Sequence, residues 1–158
     1  MSRDEFVGIP PAERTADLGT PDTTTMRSIR DLFVGAEPLV ETAAFDSVLD
    51  PQEIQIAFTD GVDGADWCRL DVTWYTTSAY RFHHVDSEGV NWRFDRHPNP
   101  HSPDRHFHPP PDAPAQSAAD SCIRVEEPRL VARAVLKLWR RAYETGTHST
   151  LNTATDPP

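Results

Sequence analysis

The chain has 158 residues, 37% of them hydrophobic, and a formal net charge of -10, which leaves room for one compact domain with a modest core and polar tails. Its apolar runs fall far short of the roughly 18–20 residues that cross a bilayer. The first residues, Met1 to Glu5, lack the charged and apolar regions of a signal peptide, so the sequence reads as cytoplasmic. The acidic balance excludes non-specific binding of duplex DNA through a surplus of cations.

Asp outnumbers Glu by 16 to 9, and Lys137 is the one lysine among 15 basic residues. Such a surface suits high salt and points to a halophilic origin. In molar salt the acidity counts less against an RNA substrate held by a local Arg/His cluster. Cys68 and Cys122 lie far apart without C-x-x-C spacing, so both are expected as packed thiols rather than a disulfide or a Cys-based zinc site.

Residues 1–22 are polar, carry three prolines and show no periodicity, which predicts a disordered tail. Thr23, Thr24 and Thr25 then offer a cap for a short helix with Met26, Ile29, Leu32 and Phe33 on one face, ended by Gly35. Period-two patterns follow. Leu39–Phe45 is a weak strand, and Ile54, Ile56 and Phe58 alternate with polar neighbours up to the Gly-rich turn 60–64. Cys68, Leu70, Val72 and Trp74 make the cleanest half-buried strand.

The next two strands predict their own register. Tyr80, Phe82 and His84 form one face, and Val90, Trp92 and Phe94 the matching face of the partner. Both apolar sets share a side only if paired residue numbers sum to an even value. A three-residue loop, Ser87-Glu88-Gly89, with Gly89 left-handed, satisfies this and pairs Phe82 with Phe94 and His84 with Trp92. On the other face Arg81 then falls opposite Asp95, and His83 opposite Arg93.

Residues 97–114 contain seven prolines and are expected to hold neither helix nor central strand. Asp112–Ser121 reads as a small-residue linker. Glu126-Glu127-Pro128 opens a final helix with Leu130, Val131, Ala134, Val135, Leu138, Trp139 and Ala142 on one stripe and Gly146 at its end. The expected fold is α+β: an antiparallel sheet of about five strands with an N-terminal and a C-terminal helix packed on one face. It comprises a single domain over 23–146, with a His/Pro-rich loop at 96–114 and a disordered tail at 147–158.

Four of the seven histidines, His97, His101, His106 and His108, crowd into twelve residues, and three readings of them stand open. In the first, His106 and His108 point the same way from an extended segment. With His97 or His101 they ligate a divalent transition metal such as zinc or nickel. In the second, a pair of imidazoles among His83, His97, His101, His106 and His108 does acid–base chemistry on RNA, while Arg81, Arg93, Arg96 or Arg105 holds phosphate. In the third, the loop is a rigid cover for a sheet edge. His84, on the apolar face, is expected as a core histidine hydrogen-bonded to backbone, and Phe82, Trp92 and Phe94 as core.

The Tyr-Arg-Phe-His-His strand, the Arg-Phe-Asp strand ending at Asp95 and the segment His97 to Pro111 together resemble the haloarchaeal branch of the TumE-like proteins, toxins of toxin–antitoxin pairs. The similarity spans about residues 36–145, with Tyr80–Asp112 its specific part. It carries forward Asp95, His97, His101, His106 and His108. It implies a toxin with a cognate antitoxin protein as partner; an RNA-cleaving activity on an RNA substrate is the expectation of the His/Arg reading above. Arg96-His97-Pro98 stands where the family has Asn-Ala-Pro, and His106-Phe107-His108 replaces its basic His-Lys-His element. The other class of function is a non-catalytic metal-binding or protein-interaction module of a halophilic archaeon.

Overall fold

Alternating apolar and polar residues from Val40 onward are resolved by a meander in which every strand pairs with its neighbour in sequence. The structure, a computed structural model, describes residues 18–97 and 104–158. Helix α1 (Thr23–Ala36) is followed by β1 (Val40–Phe45), β2 (Ile54–Phe58), β3 (Cys68–Trp74), β4 (Tyr80–Asp86), β5 (Asn91–Arg96), β6 (Arg105–His108), β7 (Ala119–Asp120) and helix α2 (Pro128–Thr145). The strands form one antiparallel sheet in the order β1 to β7. The fold is therefore α+β, with both helices packed on one face of the sheet.

The core lies between that face and the helices. Met26, Ile29, Leu32 and Phe33 of α1 and Val131, Val135, Leu138 and Trp139 of α2 are buried with Ile54, Ile56, Leu70, Val72, Phe82 and Phe94 of the sheet. Trp139 packs at a tilt against Phe58 with ring centroids 4.4 Å apart. The opposite face carries the other residue of each strand dipeptide, as the pleat requires.

The β4–β5 hairpin has the expected register. Phe82 pairs with Phe94, His83 with Arg93, His84 with Trp92 and Arg81 with Asp95. Gly89 turns the chain at φ +81°, and its amide donates to the Asp86 carbonyl at 3.1 Å. Pro128 opens α2, with the Glu127 side chain accepting from the amides of Arg129 and Leu130, and Gly146 ends it in the left-handed conformation.

Four expectations need correction. The sheet has seven strands, not about five. The additional β6 lies inside the segment 97–114 and pairs with strands on both sides, because the four residues Arg105–His108 contain no proline and have every amide available for pairing. Second, β7 interrupts the expected linker at Ala119–Asp120. Third, α1 is capped by Asp22, whose carboxylate accepts from the Thr25 amide at 3.1 Å, and it runs past Gly35 to Ala36.

The fourth correction concerns residues 147–158, expected as a tail. They fold back onto the domain: Leu151 is buried among the core residues, and the Cys122 amide donates to Asn152 Oδ1 at 2.8 Å. A single leucine among polar residues carries no period and could not announce this packing. Of the expected N-terminal tail, residues 1–17 lie outside the described residues, whereas Pro21 bridges to Tyr75.

Candidate active site

The sheet face remote from the helices gathers the polar side chains of β3 to β6 in rows. Across one row Thr73, Arg81, Asp95 and His106 are successive cross-strand partners; across the next, Asp71, His83, Arg93 and His108. This follows from the odd–even alternation of β4 and β5, carried onto β6 by the pairing of Phe94 with Phe107. Phe107 points into the core, so His106 and His108 on either side of it point out together.

Asp95 is the hub and is only 1% exposed. Arg93 Nε donates to its Oδ2 at 3.0 Å. Arg81 Nε lies 3.3 Å from Oδ1, a charge pairing without the alignment of a hydrogen bond. The Nε2 atoms of His106 and His108 lie 3.7 and 3.5 Å from Oδ2. Burial opposes ionisation of this carboxyl, but the two imidazoles and two guanidiniums outweigh it and hold Asp95 well below the usual carboxylate range.

Both histidines of β6 are buried. His108 Nδ1 lies 2.9 Å from the Pro114 carbonyl, an acceptor, so Nδ1 carries a hydrogen, while Nε2 faces Asp95 Oδ2 at 3.5 Å and Arg93 Nη2 at 3.4 Å. His106 packs edge-on to His108, with centroids 4.9 Å apart, and to His97 at 4.6 Å. His97 is half-buried just past β5, its amide donating to the Asp104 carbonyl at 2.9 Å. The imidazoles of His97, His106 and His108 thus form a continuous line ending at Asp95.

The remaining candidates separate. His83 stands in the neighbouring row with Nε2 3.3 Å from Asn91 Oδ1; burial, joined by Arg81 and Arg93, pushes its pKa below the ordinary value. Arg96 and Arg105 are paired with each other on the helix-side face, where the Glu126 carboxylate lies 2.6 Å from Arg105 and 3.9 Å from Arg96. His101 lies outside the described residues. A groove of about 630 Å³ at the strand ends brings Arg81, Arg96 and His97 back together with Tyr75, Tyr80 and Gln52 on its wall.

The donor atoms of Asp95, His106 and His108 lie within 4.8 Å of one another, close enough to hold a metal ion. Both carboxylate oxygens, however, already face a guanidinium, and a divalent cation there would add to positive charge that is in place. Sequence reasoning ranked the histidines above Asp95. The pairing of β5 with β6, hidden among prolines, is what makes the aspartate their common partner. Sequence reasoning also missed a second group, His84, Asp86 and His148.

An antiparallel meander backed by two helices, with a buried Asp/His/Arg cluster on its open face, defines a small α+β domain with a single-faced polar site. The family model for toxin TumE matches residues 29–144, and the chain belongs to that family. The matched span contains α1 from Ile29 onward, the whole sheet and nearly all of α2. No curated protein and no solved structure matches the chain. No helix among the described residues is long and apolar enough to cross a membrane.

Proposed function

We propose that the protein is the toxin of a toxin–antitoxin pair and that it cleaves RNA by metal-independent acid–base catalysis at the Asp95 cluster. The observation that carries this reading is the line of imidazoles from His97 to His106, backed by an ionised, buried Asp95 and bordered by Arg81 at the edge of the groove.

In this mechanism one imidazole of the His97/His106 pair takes the proton of a ribose 2′-hydroxyl. The 2′-oxygen bonds to phosphorus, the bond from phosphorus to the 5′-oxygen breaks, and the protonated partner ring delivers a proton to that leaving oxygen. The products are a 2′,3′-cyclic phosphate and a 5′-hydroxyl. Asp95 holds the orientation of His106 and balances the charge the ring gains, the role a buried carboxylate plays beside a catalytic histidine. Arg81, 40% exposed along its side chain, reaches the phosphate, with Arg96 across the groove. His108, fixed by Pro114 and Arg93, acts as a positioning residue. Its cognate antitoxin would silence the toxin by covering the groove that Arg81, Arg96 and His97 line.

The test is cleavage of an RNA oligonucleotide mixture by the purified protein in excess EDTA, beside the same strands with 2′-deoxyribose throughout. Cleavage of RNA alone, with cyclic phosphate ends, is the expected result; cleavage of both, or of neither, defeats the reading. A second reading, a metal-binding module, draws on the mutual distances of Asp95, His106 and His108. It predicts that EDTA removes a stoichiometric ion held by these three residues.

A further inference from the structure

On the helix-side face, at the end of the sheet occupied by the β4–β5 turn, three side chains converge that the RNA reading does not use. His84 and Asp86 are two residues apart on β4 and so point the same way. His148 reaches them from the segment that follows α2, its ring edge-on to His84 with centroids 5.6 Å apart. One ligand atom from each of the three lies within 4.8 Å of the others. The expectation that His84 is hydrogen-bonded to backbone is overturned. His84 is fully buried, and among the described residues neither of its ring nitrogens has a hydrogen-bond partner. Asp86 Oδ2 and His148 Nε2 are buried and unpartnered in the same way.

Buried polar atoms of this kind are normally satisfied, and here three converging residues share the same deficit. Their neighbours fix them in place. The His84 ring stacks on Trp92 at 4.7 Å and 5°. Asp86 Oδ1 accepts from the amides of Glu88 at 2.9 Å and Val90 at 3.0 Å, which locks the carboxylate and leaves Oδ2 for another partner. Unlike Asp95, Asp86 has no guanidinium or ammonium in ion-pair contact among the described residues.

We propose that His84, Asp86 and His148 form a transition-metal site, best suited to Zn²⁺, that pins the segment after α2 to the β4–β5 hairpin. Two imidazoles and a carboxylate are a donor set for zinc rather than for magnesium or calcium, which take oxygen ligands. The present spacing needs only small side-chain rotations to reach zinc bond lengths of about 2.0–2.2 Å. The ion satisfies Asp86 Oδ2, His148 Nε2 and one nitrogen of His84 together. This site is independent of the RNA reading and lies on the other face of β4 from His83.

The test uses the full chain without an affinity tag, stripped with chelator and titrated with Zn²⁺, with bound metal measured by elemental analysis and Co²⁺ substitution followed by visible absorption. One ion per chain is expected, with a rise in Tm. Asp86→Asn, which keeps the turn-capping oxygen, and His148→Ala, at a half-buried position, lose the ion and the cobalt bands while retaining the wild-type circular dichroism. His106→Gln retains them. Failure of the stripped wild type to bind one equivalent, or full binding by both Asp86→Asn and His148→Ala, overturns the site. Loss of the ion on His106→Gln alone would place the metal at Asp95 instead.

Discussion

Asp95 shows how one side chain can decide what its neighbours do. Its charge orients His106, anchors Arg93 and pairs with Arg81, while its burial makes removal costly. Breaking a fully buried ion pair costs about 3–5 kcal/mol; because Arg81 is partly solvated, Asp95→Asn is expected to lose about 2–3 kcal/mol in urea unfolding and to abolish RNA cleavage. The pH dependence has a definite sign. Unfolded, Asp95 titrates near about 3.9, and folded it titrates well below that. On acidification the unfolded chain therefore takes up the proton first. The stability Asp95 contributes is complete above about pH 5 and fades as pH falls through about 4. The gap between wild type and Asp95→Asn should narrow from pH 5 toward pH 3; a constant gap would mean that charge is not what Asp95 contributes. In the sequence the histidines stood out by their density, whereas Asp95 gains its role only through partners on β6.

Among the elements, the β4–β5 hairpin was legible and β6 was not. Matching apolar faces and one glycine left a single consistent register, and that register places Arg81 opposite Asp95. Gly89 is the pivot: its φ of +81° disfavours any side chain although a Cβ would meet no neighbour. Gly89→Ala should therefore cost about 1 kcal/mol of stability by denaturant titration, through backbone strain alone. A gain would show that the turn relaxes to another conformation. By contrast, β6 is four residues long and flanked by proline-rich sequence, and β7 has two residues. Neither is long enough to display a period, so the sheet was undercounted at the edge where the site is built.

Across the whole molecule, the helices and the meander core were readable because their apolar stripes are long. The return of residues 147–158 was not, since it depends on Leu151 and on side-chain contacts to Cys122 and Arg141. Leu151 is 1% exposed, and Leu151→Ala should cost about 2–4 kcal/mol by thermal or urea unfolding. A change below about 0.5 kcal/mol would mark the segment as peripheral. The domain divides its labour by face: apolar packing and the His84 group on the helix side, the Asp95 cluster on the other. In the proposed function the Asp95 cluster carries the toxic chemistry. Its most direct measurement is growth after induced expression of wild type and of His106→Gln, with the fold of the variant verified by circular dichroism and RNA ends mapped in the same cultures. Arrest and cyclic-phosphate RNA ends are expected with wild type and neither with the variant. Undiminished arrest by folded His106→Gln would contradict that role of the cluster.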